Sequence, residues 1–107
     1  MKKNYTVDCP IRKTLEILGG KWKLLIIFQF RADQPVRYGE LKKKIPDISE
    51  KMLIQELKVL VENGLLLKHS YPEIPPRVEY TITKRGKEVL PIIDTLAEFG
   101  MQYVKTV

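Results

Sequence analysis

The sequence predicts a mainly α-helical fold closed by a small antiparallel β-hairpin, and three observations carry that expectation. Ile48 to Leu67 reads as one capped amphipathic helix that runs at once into a strand. A second alternating segment, Arg77 to Thr83, follows a proline-rich loop. Elsewhere the apolar residues recur at helical spacing. A chain of 107 residues is one domain by size.

Taken in order, residues 1–8 read as an arm and residues 9–107 as the domain. Cys9-Pro10 opens a first helix, since proline at the first helical position loses no hydrogen bond. Ile11, Leu15 and Leu18 follow at helical spacing, and Gly19-Gly20 ends the run. A second helix is expected from about Lys21 to Phe30. Trp22, Leu25, Ile26 and Phe30 form its buried stripe, widened by Leu24, Ile27 and Phe28. A helix apolar nearly all round is a central one. Asp33-Gln34-Pro35 breaks it, and Val36 adds a residue or two of strand.

Tyr38 to Lys44 is a short third helix with Leu41 and Ile45 facing inward. The turn Ile45-Pro46-Asp47-Ile48 leads to Ser49, whose hydroxyl caps the next helix. There Leu53, Leu57, Leu60 and Val61 share one apolar face. At about 100° per residue, Lys51, Gln55, Lys58 and Glu62 fall opposite it. Gly64 supplies the left-handed stop. Leu65 to Tyr71 is a strand, Pro72 to Pro76 a stiff loop, and Arg77 to Thr83 the returning strand. Thr83 caps a last helix reaching about Val104, with Pro91 inside it as a kink. Three helices, a fourth capped by Ser49, a hairpin and a closing helix, with the third and fourth joined by a tight turn, make a winged helix-turn-helix. Trp22, Leu25, Leu41, Leu53, Leu57 and Leu60 are the candidate core.

Composition narrows the function. The net charge of +6 favours an anionic partner, nucleic acid before membrane surface. The excess lies before Glu88, with knots at Lys42-Lys43-Lys44 and Lys84-Arg85, whereas the segment after Glu88 is slightly acidic. The longest apolar run, Leu24 to Phe28, falls far short of the ~18 residues a membrane span needs. The single cysteine and the lack of an apolar leader segment fit a reducing cytoplasm. His69, the one histidine, lies on an expected strand with no acid or cysteine at metal or triad spacing. Without a glycine-rich phosphate loop either, no enzyme, metal or cofactor is expected.

The chain resembles the HxlR-type winged-helix transcriptional regulators of bacteria and archaea. The pieces that carry the resemblance are Cys9-Pro10-Ile11, Gly19-Gly20-Lys21-Trp22, Tyr38-Gly39-Glu40-Leu41, Ile48-Ser49 with Leu53 and Leu57, Gly64-Leu65, Pro75-Pro76-Arg77-Val78-Glu79-Tyr80, and Thr83 with Gly86. Phe99 stands where the family often carries tryptophan. The resemblance implies a homodimer that binds palindromic operator DNA and controls nearby genes, more often as a repressor. The family's dimer is built from the first and last helices, here through Ile11, Leu15, Ile92, Ile93, Leu96, Phe99 and Tyr103. Surplus apolar residues after Val89 point the same way.

On that reading Ser49, Lys51, Gln55 and Lys58 meet the major groove or its flanking phosphates. Arg37, Tyr38 and Lys43 clamp the backbone, and Arg77 at the base of the wing reaches phosphate or the minor groove. Alternatives stay open for several. The Lys42–Lys44 run is equally a solvated face, Tyr38 a packing residue where the helix begins, and Arg77 a partner of Glu73 or Glu79. Cys9 has two readings. At a helix N-terminus beside Arg12 and Lys13 it is a candidate redox-sensing thiol, as cysteines here are in some family members. Otherwise it is a small buried residue near the dimer seam. Gating by a small aromatic or apolar ligand, and a protein-interaction module without DNA binding, are the competing functions.

Overall fold

Proline at the start and Gly19 at the end bound the first helix, α1 (Pro10–Leu18), in the computed structural model, which describes residues 9–104. The expected arm, residues 1–8, lies outside the described residues. The remaining elements are α2 (Lys23–Phe28), β1 (Val36–Arg37), α3 (Tyr38–Lys44), α4 (Glu50–Glu62), β2 (Leu66–Tyr71), β3 (Arg77–Ile82), α5 (Lys84–Lys87) and α6 (Leu90–Met101). This is the winged helix-turn-helix order that the sequence predicts.

Local chemistry explains α4. Ser49 Oγ accepts from the Met52 N–H at 3.1 Å, which satisfies one of the first-turn donors that a helix leaves open. At the other end Gly64 sits at φ +76°, in the left-handed region. Its N–H donates to Val61 O at 3.0 Å, and the Leu65 N–H donates to Leu60 O at 2.9 Å. Those paired bonds close the last turn as a Schellman motif. Thr83 then grips the same corner: its hydroxyl donates to Gly64 O at 2.6 Å and accepts from the Gly86 N–H at 3.0 Å.

The sheet is antiparallel and three-stranded, in the order β1-β3-β2. Leu66 pairs with Ile82 and Tyr71 with Arg77, while Val36 pairs with Tyr80. The short β1 thus joins the hairpin and ties α3 to the base of the wing. Alternation puts Tyr80 and Ile82 into the core. There they meet Ile26, Ile27 and Phe30 of the α2 region, Leu41 and Ile45 around α3, and Leu53, Leu57 and Leu60 of α4.

Three expectations need correction. Leu25 is not core: it is 45% exposed, as is Phe28 nearly so, and Ile26 and Ile27 are the buried pair. In a run apolar on every side, periodicity alone cannot choose the face. The second helix is shorter than expected, because residues 29–32 continue as turns. The last helix is two helices, α5 and α6, separated at Glu88-Val89. Pro91 therefore lies in the first turn of α6, where its missing N–H costs nothing, and no kink results. Trp22 is half-buried against the core, with Lys21 Nζ 4.6 Å from its ring centroid.

Candidate nucleic-acid interface

Burial of the leucine stripe decides what α4 shows outward. Leu53, Leu57 and Leu60 are sealed in the core, and Lys51, Gln55 and Lys58 are exposed on the opposite side. Ile54 and Met52 flank them, also exposed. Ser49 is exposed, but its hydroxyl is engaged in the cap. The sequence missed one member of this helix. Glu56 is buried and pairs with Lys23 Nζ at 2.9 Å, a match that no local pattern reveals across 33 residues.

The flanking elements supply further cations. Lys43 points to solvent on α3, and Lys42 Nζ donates to Pro46 O at 3.2 Å. The Arg37 N–H donates to Glu40 Oε1 at 2.9 Å and so starts α3, while its guanidinium lies exposed, 3.8 Å from Glu79. Arg77 follows the alternative reading. Its guanidinium sits 3.0 Å from Glu73 and 3.6 Å from Glu79, and stacks 4.1 Å above the Tyr71 ring. It braces the wing against its own strands. Lys68 on β2 is an exposed cation the sequence reading passed over, although strand alternation already sent it outward.

Between α4, α3 and the wing lies a cleft of about 590 Å³, which brings Arg37, Tyr38 and Arg77 together with Ile54 and Lys68. Lys43, Lys51 and Gln55 lie outside it, and Lys58 lines a smaller hollow beside it. The Tyr38 hydroxyl is buried and has no hydrogen-bond partner among the described residues. Burial, with the nearby Glu50 carboxylate second, holds its ionisation above the ordinary tyrosine value. Tyr80 is raised likewise, by burial first and then by Tyr38.

A second surface lies on the far elements. Ile11 and Leu15 of α1, with Ile92, Leu96 and Phe99 of α6 and Tyr103 just beyond it, are all exposed. The Phe99 and Tyr103 rings pack tilted against each other, with centroids 5.4 Å apart. Ile93 differs from its expected neighbours, for it turns inward and packs on the core. Met101 and Val104, apolar residues beyond Val89, are exposed too, as are Leu25 and Phe28, which the sequence reading placed in the core stripe of the second helix. Arg31 pairs with Asp94 and so ties α6 to the α2 end. Cys9 is 4% exposed, as its reading as a small buried residue expects, and its thiol lies at the foot of α1. His69 is half-buried, its Nε2 3.2 Å from Thr81 Oγ1. Among the described residues no helix is long and apolar enough to cross a membrane.

The HxlR-like helix-turn-helix family matches residues 17–107. An uncharacterised HTH-type transcriptional regulator of Halalkalibacterium halodurans is 43% identical over 95 residues, covering 89% of this chain and 84% of the relative. Among solved structures, a Porphyromonas gingivalis W83 protein described as a MarR-family regulator superposes with TM-score 0.89 at 56% identity, over 96% of this chain and 100% of that one. The redox regulator HypR in its oxidised form superposes with TM-score 0.80 at 32% identity, over 92% and 100% respectively. Its reduced form gives 0.79, at the same identity, over 87% and 91%. The fold, its corner at Gly64-Leu65 and these similarities agree, and the chain belongs to the HxlR-like helix-turn-helix family.

Proposed function

We propose that this chain is a transcriptional regulator that binds operator DNA as a homodimer through α4. The observation that carries the reading is the division of that helix. Its leucines are sealed inside, while Lys51, Gln55 and Lys58 stand free of the protein's own packing. Lysines there neutralise phosphates, and glutamine can pair bidentately with adenine. Arg37 and Lys43 approach the backbone beside them, Ser49 fixes the helix start, Tyr38 packs beneath the start of α3, and Arg77 holds the wing in position. A bound operator that overlaps a promoter excludes polymerase, so repression is the expected outcome.

The dimer reading is supported by α6, which has no buried residue of its own. A helix of 12 residues gains little stability alone and needs an apolar partner. The faces of α1 and α6 supply Ile11, Leu15, Ile92, Leu96, Phe99 and Tyr103, and a twofold axis through them sets two copies of α4 about 34 Å apart along one face of a duplex. The domain on this reading spans residues 9–107, with residues 1–8 as an arm.

The test is charge reversal. Lys51→Glu and Lys58→Glu abolish binding to the DNA upstream of the chain's own gene while leaving the circular dichroism unchanged. In the parent protein the logarithm of the binding constant falls with log salt at about 0.9 per phosphate neutralised. Unchanged gel shifts for both variants reject the assignment.

Oxidation of Cys9 is a second reading, favoured by the similarity to HypR, a redox regulator. Burial of the thiol means that an oxidant reaches it only when the start of α1 opens. With one cysteine, oxidation joins two subunits or adds a small thiol cap. Treatment with diamide lowers DNA affinity in the parent and not in Cys9→Ser. Equal loss in both proteins, or none in the parent, ends the idea.

A further inference from the structure

We propose that Ile54 reads a thymine methyl in the operator, as the apolar member of a helix face that is otherwise polar; the proposal rests on the regulator reading above. At about 100° per residue, Ile54, Lys58, Lys51 and Gln55 fall in that order within about 100° of the α4 circumference. All four are exposed, Ile54 at 59%. Folding does not account for an isoleucine there. The core is filled from the other side of the helix by Leu53, Leu57 and Leu60. A β-branched side chain lowers helix stability slightly against lysine or glutamine, so nothing local rewards it either. The apolar surface proposed for the dimer lies on α1 and α6, not on α4.

Cations surround this side chain. Ile54, Lys58 and Lys68 line one hollow, and Lys51 lies one turn back along the same face. An apolar group set among cations fits a surface with anionic rims and an apolar spot between them. The major groove of a duplex has that form, because phosphates edge it and the thymine C5 methyl is the apolar group on its base edges. Isoleucine neither donates nor accepts a hydrogen bond, so among the four bases its side chain favours thymine alone. Over cytosine it would cover the N4 amino group and leave it unsatisfied. Position along the helix fits as well. Ile54 and Gln55 lie in the first half of α4, and the N-terminal residues of a recognition helix are those that reach base edges. Gln55 then tests for a donor and acceptor, and Ile54 for a methyl, while the lysines hold phosphates.

The parent protein first selects its preferred duplex from a pool of random sequence. Each thymine of that duplex is then replaced in turn by deoxyuridine, which removes the methyl and leaves every hydrogen-bonding group in place. Affinity is read by fluorescence anisotropy. One thymine per half-site responds, with affinity about fourfold lower once its methyl is gone, the loss of one buried methyl group. In Ile54→Ala that position no longer distinguishes thymine from deoxyuridine. The variant keeps the parent circular dichroism, since the side chain it trims is exposed. Its slope of log affinity against log salt equals the parent's, whereas Lys58→Gln lowers that slope by about 0.9 per subunit. A parent that binds its duplex with no thymine responding overturns this proposal alone. So does a response that persists in Ile54→Ala, which assigns the methyl to another side chain. A parent that selects no duplex overturns the regulator reading and this proposal together.

Discussion

Lys23 Nζ and Glu56 Oε2 meet at 2.9 Å across the interior, with 14% and 11% of their side chains exposed. Lys23 also donates to Gly19 O at 3.4 Å, so one ammonium joins the α1–α2 turn to α4. Removing one partner strands the other away from water. Glu56→Ala should lower the unfolding free energy by about 3 kcal/mol, the low end for a buried pair because a little solvent reaches this one. The double replacement Lys23→Met with Glu56→Leu should recover most of that loss, since neither charge is then left alone. Urea unfolding of Lys23→Met, Glu56→Leu and the double gives the cycle. A double variant as weak as the sum of the singles contradicts the pairing.

Gly86 is held where nothing larger fits. A Cβ there would lie 2.3 Å from Leu65 O and 2.7 Å from Ile82 Cγ1. The Leu65 carbonyl is backbone and cannot swing aside, so Gly86→Ala should cost about 1–3 kcal/mol by overpacking. Thr83→Ala removes the cap of the same turn, for about 1 kcal/mol. The two substitutions share this corner, so their effects should be non-additive in thermal unfolding.

The α6 face should control assembly. Leu96 and Phe99 are exposed, Phe99 at 61%, and leave the core intact when changed. Leu96→Asp and Phe99→Asp should sediment as monomers and lose operator affinity while keeping their circular dichroism. Lys51→Glu should lose affinity but sediment like the parent. A parent that sediments as a monomer at micromolar concentration ends the dimer reading.

Alkaline pH should weaken the fold through two tyrosines. Tyr38 and Tyr80 both ionise above the ordinary 10.0 in the folded chain, chiefly because of burial. The neutral phenols are thus favoured by folding. Their contribution is fully present below pH 10.0 and is lost as pH rises through the raised folded values, because the unfolded chain releases these protons first. Unfolding free energy should fall more steeply above that pH in the parent than in Tyr38→Phe. Identical slopes would contradict the assignment.

Most of the frame was legible in local chemistry. Ser49, Gly64, Thr83 and the prolines mark boundaries by mechanisms that act within a few residues, and α3 begins and ends where the sequence expects. The exposed side of α4 followed from one leucine stripe. What stayed hidden depends on contacts far apart in the chain. Leu25 and Ile26 are both apolar, and only the docking of α2 into the core shared with α4 and the sheet decides which is covered. Glu56 looks like a surface residue until Lys23 arrives beside it. Arg77 lay near even between binding DNA and bracing the wing, and the hairpin register that sets Tyr71 opposite it supplied the missing geometry.

With Lys23 reaching Glu56 in its middle and the Thr83 hydroxyl gripping Gly64 just past its end, α4 is fastened at two points to the body that carries it. A helix so anchored has no freedom to tilt or slide by itself. On the dimer reading proposed above, a signal would act by moving whole domains, altering the gap between two copies or the swing of the β2–β3 arm, and would leave the exposed side of α4 as it is.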